Sequence, residues 1–491
     1  MPTRLLRLLA AAVALAPLAA QAQTVPAASQ MPMSTMLGFE QLRLPGSERL
    51  GLVGASLLFR TDSGWWLGPA VYGAATGERG GFFVGGAELQ RRWTLVDHTQ
   101  LVTGLYVGGG GGGAAPVGGG LMLRPALTLL QDFGGWQAGL SLSDVRFPSG
   151  DIHSHQLGLL LAWDGSYRYY DTALIGRPSF DIERSGLGLD RAGITLSQYR
   201  LPDGRHVDLV GVRAEQNDEA SGLHGGIEAA AAAKGGAAGY MELLGSLGWE
   251  QALLPQALPS LKLGLRGAVG LGGGGGVPNG GGAMAKAAAT VGWQLVPGWR
   301  LALEAGIVRG WHGLPHERSA QIWLATDLGD SHRPSVLGAT GEIQRNEWAF
   351  SLQHVQHADR KTGGRGSLDT LGLKLDHYLG DSFYLSGQAH SAYAGGAGAY
   401  SVGLLGAGLA TPAADRRWQL GAEVLAGAAG GGGVATGGGA IVQGLGWAAW
   451  RVGPSSQLRL GAGKVRSARS GGLNSPLVEL AWSQSFGLTG R

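Results

Sequence analysis

Cysteine and charged residues are absent or scarce in this chain, and each of these observations excludes a class of site or of protein. There is no cysteine, which excludes disulfides, a cysteine nucleophile and cysteine-ligated metal sites. Charged residues make up only 15% of the chain and the formal net charge is +3, so no basic excess points to a nucleic-acid partner. Apolar residues nevertheless reach 44%, which excludes an intrinsically disordered polyelectrolyte.

Glycine, by contrast, is abundant, with 91 residues among 491. Soluble proteins contain about 7% glycine on average. Each glycine inside a helix costs about 1 kcal/mol relative to alanine. The composition therefore disfavours an ordinary helical protein.

The N-terminus has the features of an export signal. Arg4 and Arg7 precede an apolar stretch, and small residues around Ala22 form a cleavage site. The sequence predicts a signal peptide at 1–22 and a loose leader at 23–35. An N-terminal membrane anchor is disfavoured because the apolar stretch is short. No later run of 18 or more apolar residues occurs, so a membrane-spanning chain would have to form a closed barrel.

The rest of the chain alternates between apolar and polar residues. In Trp299–Ile307 the odd positions are apolar, and Leu261–Leu271 repeats the pattern with Lys262 and Arg266 on the other face. Such segments are typical of strands with one apolar and one polar face. Two architectures fit this pattern: a soluble sandwich with the apolar face inside, or an outer-membrane barrel with the apolar face towards lipid.

Three features favour the barrel. The segments are long enough for the ~9–11 residues of a transmembrane strand, and their apolar faces are mild, rich in leucine, alanine and glycine. Tryptophans near segment ends suggest interfacial girdles; they are Trp65, Trp66, Trp163, Trp249, Trp299, Trp348 and Trp482. We therefore expect an all-β fold, one large antiparallel transmembrane β-barrel of about 24 strands (22–26) over residues 36–488.

A glycine-rich block occurs three times along the chain. The blocks are Gly110–Gly120, Gly273–Gly282 and Gly430–Gly439. Their second glycine triplets, which begin at Gly118, Gly280 and Gly437, are 162 and 157 residues apart. This spacing predicts three tandem repeats of about 160 residues, at 36–184, 185–333 and 334–488. One fused barrel is favoured over three small barrels, because no linkers are recognisable between the repeats.

The glycine blocks have two interpretations. Neither a following Lys-Ser/Thr pair nor a helix accompanies them, so a phosphate-binding loop is excluded. The favoured interpretation is a hairpin corner that uses positive φ angles. The alternative is that three patches without side chains let another backbone, a plug or a polymer approach closely. Representative positions are Gly110, Gly118, Gly273, Gly280, Gly430 and Gly437.

Charged residues of both signs fall on the polar faces of the predicted strands. They are Glu88, Arg92, Arg124, Glu242, Lys262, Arg266, Lys286, Arg300, Glu304, Glu317, Lys374, Asp376, Arg459 and Glu479. As lumen-lining residues they predict a weakly selective aqueous pore, because strong selectivity requires a ring of one sign. Alternatively, they form a wall of ion pairs that stiffens the barrel.

No catalytic, cofactor-binding or metal-binding residues are predicted. His153 and His155 share one strand face, but a metal site needs three or four converging ligands and one strand does not supply them. The histidines are therefore interpreted as polar residues of the rim or lumen. A membrane-embedded hydrolase is disfavoured, because no serine nucleophile stands on a strand–turn–helix.

The C-terminal segment carries the one resemblance to a known class. Val478–Phe486 alternates and ends in an aromatic residue, which resembles the terminal-strand signal of bacterial outer-membrane β-barrels, the porin-like class. It departs from that pattern by the extension Gly487–Arg491, and the low aromatic content is atypical of porins. The resemblance implies an outer-membrane location, contact with lipid, and a function as a pore or conduit. The alternative is a scaffold or export-system component that encloses or anchors a periplasmic or lumen-plugging protein.

Overall fold

The structure, a computed structural model, describes residues 27–181, 185–254, 256–314, 316–328, 341–412 and 417–489. The signal peptide predicted at 1–22 lies outside these residues. Within them, no helix is long and apolar enough to cross a membrane. The helices of this described part are two three-residue 3-10 turns, at Pro45–Ser47 and Thr172–Leu174.

The first eight strands form a closed antiparallel barrel. They are β1 (Ser29–Arg43), β2 (Arg49–Arg60), β3 (Trp65–Thr76), β4 (Phe83–Val96), β5 (Thr99–Gly111), β6 (Leu121–Asp132), β7 (Gln137–Arg146) and β8 (His153–Tyr169). Each strand pairs with the next, and β1 also pairs with β8, with Leu37 opposite Leu161. The first repeat therefore closes on itself.

The other two repeats are built in the same way. The second barrel consists of β10 (Arg191–Arg200), β11 (His206–Asp218), β12 (Leu223–Lys234), β13 (Met241–Leu254), β14 (Leu258–Gly273), β15 (Ala283–Val296), β16 (Trp299–Gly310) and β17 (Glu317–Asp327). The third consists of β18 (Gly341–Asp359), β19 (Arg365–Tyr378), β20 (Phe383–Ala394), β21 (Ser401–Ala410), β22 (Trp418–Gly430), β23 (Ala440–Arg451), β24 (Ser456–Ser467) and β25 (Asn474–Thr489). The short strand β9 (Pro178–Ser179), between the first two barrels, pairs with the start of β18.

The all-β antiparallel architecture, the strand number and the threefold repeat are confirmed, but the closure into one barrel over 36–488 is corrected. A single barrel would pair β8 with β10 and β17 with β18. Instead, β8 pairs with β1, β17 with β10 and β25 with β18. The physical reason is that eight strands enclose an interior just wide enough for side chains to fill, and the inward-facing side chains are large enough to fill it.

The leader predicted at 23–35 is also corrected, because β1 begins at Ser29. Residues from Met33 onwards pair with β2, and Ser29–Glu40 pair with β8. The backbone N–H and C=O groups of this segment therefore find partners in the barrel ladder.

The connections between strands define two ends of each barrel. In the first barrel, the turns at one end, called the short-turn end, are 61–64, 97–98 and 133–136. The connections at the other end, called the glycine end, are 44–48, 77–82, 112–120 and 147–152. The same order holds in the other two barrels, and in each barrel the first strand begins and the last strand ends at the short-turn end.

Strand alternation sorts the side chains of each barrel into an outer and an inner set. On β8, Leu157, Leu159 and Leu161 are exposed, whereas Gln156 and Ala162 are buried. The apolar face thus points outward and the polar face inward, which is the reverse of a soluble sandwich.

Candidate functional site

The interior of the first barrel is crossed by charged side chains. Arg124 on β6 donates from Nε and Nη2 to the two carboxylate oxygens of Glu40 on β1, at 2.9 Å each. Ser143 donates to the same carboxylate at 2.7 Å. Because β6 and β1 are not neighbouring strands, the Arg124–Glu40 ion pair spans the lumen. Near the short-turn end, the guanidinium of Arg92 lies 4.0 Å from the ring centre of Trp66.

The second barrel contains a larger ion-pair network. Lys286 on β15 donates to Glu228 on β12 at 2.9 Å and to Glu242 on β13 at 2.6 Å. Arg266 on β14 donates to Glu304 on β16 at 2.9 Å and lies 3.1 Å from Glu228. These bonds connect five strands, so the network fills the cross-section of the barrel.

The interior of the third barrel also contains ion pairs between strands, formed by different residues. Lys374 on β19 donates to Glu423 on β22 at 2.7 Å and to Glu479 on β25 at 3.1 Å. Arg459 on β24 donates to Asp376 at 2.9 Å and to Glu347 on β18 at 2.7 Å. Both cations are fully buried. Each therefore depends on two carboxylates for compensation of its desolvation.

An apolar cluster fills each barrel interior towards the glycine end. Equivalent aromatic residues, Phe82, Tyr240 and Tyr400, stand immediately before a strand in the three repeats and are buried in these clusters. Valines from the glycine blocks pack in the same clusters; they are Val117, Val277 and Val434. The three mouths at the glycine end are therefore packed with side chains.

A small internal cavity lies among the polar residues of the first barrel. This cavity has a volume of about 30 Å³ and is lined in part by Glu40, Glu88 and Arg124. A volume of that size holds about one water molecule. Together with the ion pairs, it indicates a packed core in place of an aqueous channel.

The predicted lumen residues are distributed over three separate interiors. Eleven of them are buried: Glu88, Arg124, Glu242, Arg266, Lys286, Arg300, Glu304, Lys374, Asp376, Arg459 and Glu479. Arg92, Lys262 and Glu317 lie nearer the barrel ends; the Lys262 side chain is partly exposed and the Arg92 side chain is largely covered. Arg300 and Glu304 share β16 but find different partners, since Arg300 donates to Glu250 at 2.7 Å.

Several members of these networks were missed by the sequence reasoning. They are Glu40, Arg213, Glu215, Glu228, Glu250, Glu347 and Glu423. Each occupies the polar face of an alternating strand, and that signal was sufficient to find them. What the sequence does not contain is which distant strand supplies each partner.

The glycine blocks lie where the three barrels meet. Gly80 N–H donates to the carbonyl of Gly280 at 2.6 Å, and Gly398 N–H donates to that of Gly118 at 3.2 Å. A Cβ on the last glycine of each block would stand 2.2–2.3 Å from a carbonyl oxygen of a neighbouring barrel; the pairs are Gly120–Ala392, Gly282–Ala74 and Gly439–Ala232. Each barrel thus packs its backbone against both others, in a ring with pseudo-threefold symmetry.

Both interpretations of the glycine blocks describe part of this arrangement. Gly110, Gly118, Gly273 and Gly437 have positive φ angles, as hairpin corners require. A Cβ on Gly430 would lie 2.1 Å from the nitrogen of Gly239 in the second barrel, and one on Gly280 would lie 2.9 Å from the carbonyl oxygen of His312 in its own barrel. The backbones that approach the blocks therefore belong to the same chain.

An ion pair also ties turns together at the glycine end of the first barrel. Arg79 donates to both carboxylate oxygens of Glu48, at 2.8 and 2.6 Å, and to the carbonyls of Gly113 and Ala114. The hydrogen bonds from Arg79 hold the pKa of the Glu48 carboxyl below its usual value. This one guanidinium connects three of the four loops at that end.

The outer surface differs between the two ends. Ten of the eleven exposed tryptophans among the described residues lie at the short-turn end, each 38–55% exposed: Trp65, Trp93, Trp136, Trp163, Trp249, Trp293, Trp299, Trp418, Trp450 and Trp482. The eleventh, Trp311, is 74% exposed and lies in a turn at the glycine end. Trp66, which was expected in such a girdle, instead points inward and is buried. Towards the glycine end the exposed outer positions carry basic residues and histidines, called the basic collar: Arg43, Arg49, Arg146, His153, His155, Arg200, His206, Arg309, Arg318, Lys464 and Arg466.

His153 and His155 lie next to Asp144, a residue that the sequence analysis did not consider. Asp144 on β7 lies opposite His155 on β8, and the ligand atoms of Asp144, His153 and His155 fall within 4.8 Å of one another. The sequence could have predicted this contact, because residues equidistant from the turn 147–152 pair with each other in an antiparallel hairpin. A second exposed histidine, His354, contacts Asp369 on β19 at 2.6 Å.

Comparisons with known proteins give only weak similarities. No protein-family model matches the chain, and no curated protein matches it. Among solved structures, the FrpB iron transporter from Neisseria meningitidis (F3-3 variant) has 11% identity and a TM-score of 0.28, over 93% of this chain and 82% of that one. OccK9 (OpdG) from Pseudomonas aeruginosa has 12% identity and a TM-score of 0.19, over 94% and 98%.

A mutant of the ferric enterobactin receptor PfeA from Pseudomonas aeruginosa, in complex with enterobactin, is similar to the same degree. Its identity is 11% and its TM-score 0.28, over 94% of this chain and 82% of that chain. TM-scores this far below 0.5 do not establish a common architecture or a common activity with these three proteins.

Proposed function

We propose that this protein is an outer-membrane β-barrel protein whose three closed barrels form one membrane-embedded scaffold. The membrane location is supported by the outer faces of the strands. Leu247, Leu265 and Val269 are 76%, 65% and 67% exposed, and similar residues surround each barrel. Exposed apolar surface of this extent is unfavourable in water and favourable against lipid.

The two ends of the barrels support an orientation in that membrane. Outer-membrane barrels have short periplasmic turns and longer extracellular loops, so the short-turn end is assigned to the periplasm. Tryptophans are suited to the membrane–water interface there. The basic collar then lies in the outer leaflet, next to the phosphate groups of lipopolysaccharide.

The observation that carries the scaffold function is the closure of all three interiors. Ion pairs between non-neighbouring strands, such as Arg124–Glu40, cross the lumens, and apolar clusters fill the glycine ends. Such packing makes each barrel rigid and leaves no room for a plugging protein. The partner of the scaffold is accordingly a periplasmic protein, held at the short-turn end.

A pore or conduit is the second candidate function. It is favoured by the polar inner faces, which carry both signs of charge as a weakly selective channel would. The wide lumen expected for one barrel of about 24 strands is not formed, so conduction would require ion pairs inside a small barrel to separate.

Single-channel recording distinguishes the two functions. We expect the mature chain, refolded and inserted into a planar bilayer, to show no steady openings. Steady openings that increase in the double variant Glu40→Ala/Arg124→Ala would contradict the scaffold and support conduction through the first barrel. Arg200→Ala, an outward-facing change in the second barrel, is the matched control and should behave as the unmodified chain. Heat-modifiable migration in gels shows that each protein has folded.

A further inference from the structure

The hairpin β7–β8 brings three potential metal ligands together on the outside of the first barrel. In the antiparallel register, Asp144 pairs with His155 and Arg146 pairs with His153. Strand alternation points all four side chains outward, beyond the apolar belt that includes Leu142 and Leu157. The cluster therefore lies near the glycine end, and it is separate from the filled interiors and from the proposed scaffold function.

One carboxylate oxygen is the centre of this cluster. Asp144 Oδ1 lies 3.1 Å from His153 Nε2 and 3.3 Å from His155 Nδ1. This oxygen is inaccessible to solvent, yet it accepts no hydrogen bond of good geometry. The other oxygen, Oδ2, accepts a hydrogen bond from Arg146 Nε at 2.5 Å. Arg146 thus fixes the carboxylate so that Oδ1 faces the two imidazoles.

We propose that Asp144, His153 and His155 form a binding site for a divalent transition-metal ion, with Zn²⁺ as the expected occupant. Two imidazole nitrogens and one carboxylate oxygen are a ligand set that Zn²⁺ uses, with a fourth position open to water. A shared cation also satisfies the buried oxygen that the imidazoles leave without a hydrogen bond. Arg146 acts on the site through Asp144, as outer partners of ligating carboxylates do.

Zinc titration of the refolded mature chain in detergent micelles tests this site. After removal of metal with a chelator, we expect one equivalent of Zn²⁺ to bind per chain in isothermal titration calorimetry. Co²⁺ in place of Zn²⁺ should give the visible absorption bands of a site with nitrogen and oxygen ligands. His153→Gln and Asp144→Ser should each weaken Zn²⁺ binding at least about tenfold.

The chain offers a matched control in the second barrel. His206 is also an exposed histidine at the start of a strand near the glycine end, but its Nδ1 faces the side-chain oxygen of Gln198, at 3.2 Å. His206→Gln should leave Zn²⁺ binding unchanged. Because the substituted side chains point outward, all variants should fold, which heat-modifiable migration checks. No zinc binding by the unmodified chain, or equal binding by all variants, would overturn the proposal.

Discussion

Lys374 is an example of a buried charged side chain that needs partners of opposite charge. Its ammonium is completely buried and is held by Glu423 and Glu479 from two other strands. Removal of one partner from a buried ion pair usually costs more than the pair itself contributes, because a charge is left without compensation. The same applies to Arg459 and its two carboxylates.

We expect Lys374→Ala to lower the free energy of unfolding by about 3–5 kcal/mol. The loss arises because the buried carboxylates of Glu423 and Glu479 are then left without the cation that pairs with them. Urea unfolding of the refolded protein, followed by tryptophan fluorescence, measures the change. Lys464→Ala, on the exposed outer face of β24, should stay within about 0.5 kcal/mol. Equal effects of the two substitutions would show that the interior network contributes little to stability.

The hairpins at the glycine end act as packing elements as well as turns. Gly282 ends the second glycine block, has a φ of +102°, and would place a Cβ 2.2 Å from the carbonyl oxygen of Ala74 in the first barrel. A side chain at this position therefore meets both an unfavourable backbone conformation and a neighbouring barrel. Gly298 has a similar φ of +80° but faces open space.

Substitution of these two glycines by alanine distinguishes the cost of backbone strain from the cost of disturbed packing between barrels. Gly298→Ala should cost about 1–2 kcal/mol, the usual penalty of a left-handed conformation for a residue with a Cβ. Gly282→Ala should cost about 1–3 kcal/mol more, because the two barrels must move apart. Urea unfolding gives both values, and limited proteolysis of 274–282 should become faster in Gly282→Ala alone. A similar loss in both variants would contradict a packing role for the block.

The complete molecule is a ring of three barrels with chemically different ends. The short-turn end carries ten exposed tryptophans, and the glycine end carries Trp311, the basic collar and the junctions between barrels. All three barrels have the same orientation, because their glycine ends contact one another. The molecule therefore has one defined direction across a membrane.

The absence of cysteine makes this direction simple to measure. We expect a single cysteine introduced at the glycine end by Lys361→Cys to react with a membrane-impermeant maleimide on intact cells. Asp97→Cys, in a turn at the short-turn end, should react only after lysis. The reverse pattern would contradict the proposed orientation, and lysis-dependent labelling of both positions would contradict exposure at the cell surface.

Local sequence patterns determined most of the secondary structure of this protein. The alternation in Trp299–Ile307 predicted a strand and its two faces, because side chains of a strand point to opposite sides in turn. The spacing of the glycine blocks predicted three repeats, and the polar faces predicted which charged residues point inward. These properties depend only on neighbours along the chain.

Tertiary structure alone decided which strands close a barrel and which charges meet. The pairing of β8 with β1 and not with β10, the Arg124–Glu40 bridge across a lumen, and the contact of Gly282 with Ala74 join residues far apart in sequence. The alternation of one strand fits many partners equally well, so it contains no information about closure. Closure after eight strands is decided by whether the enclosed side chains fill the interior, and that is a property of a whole repeat.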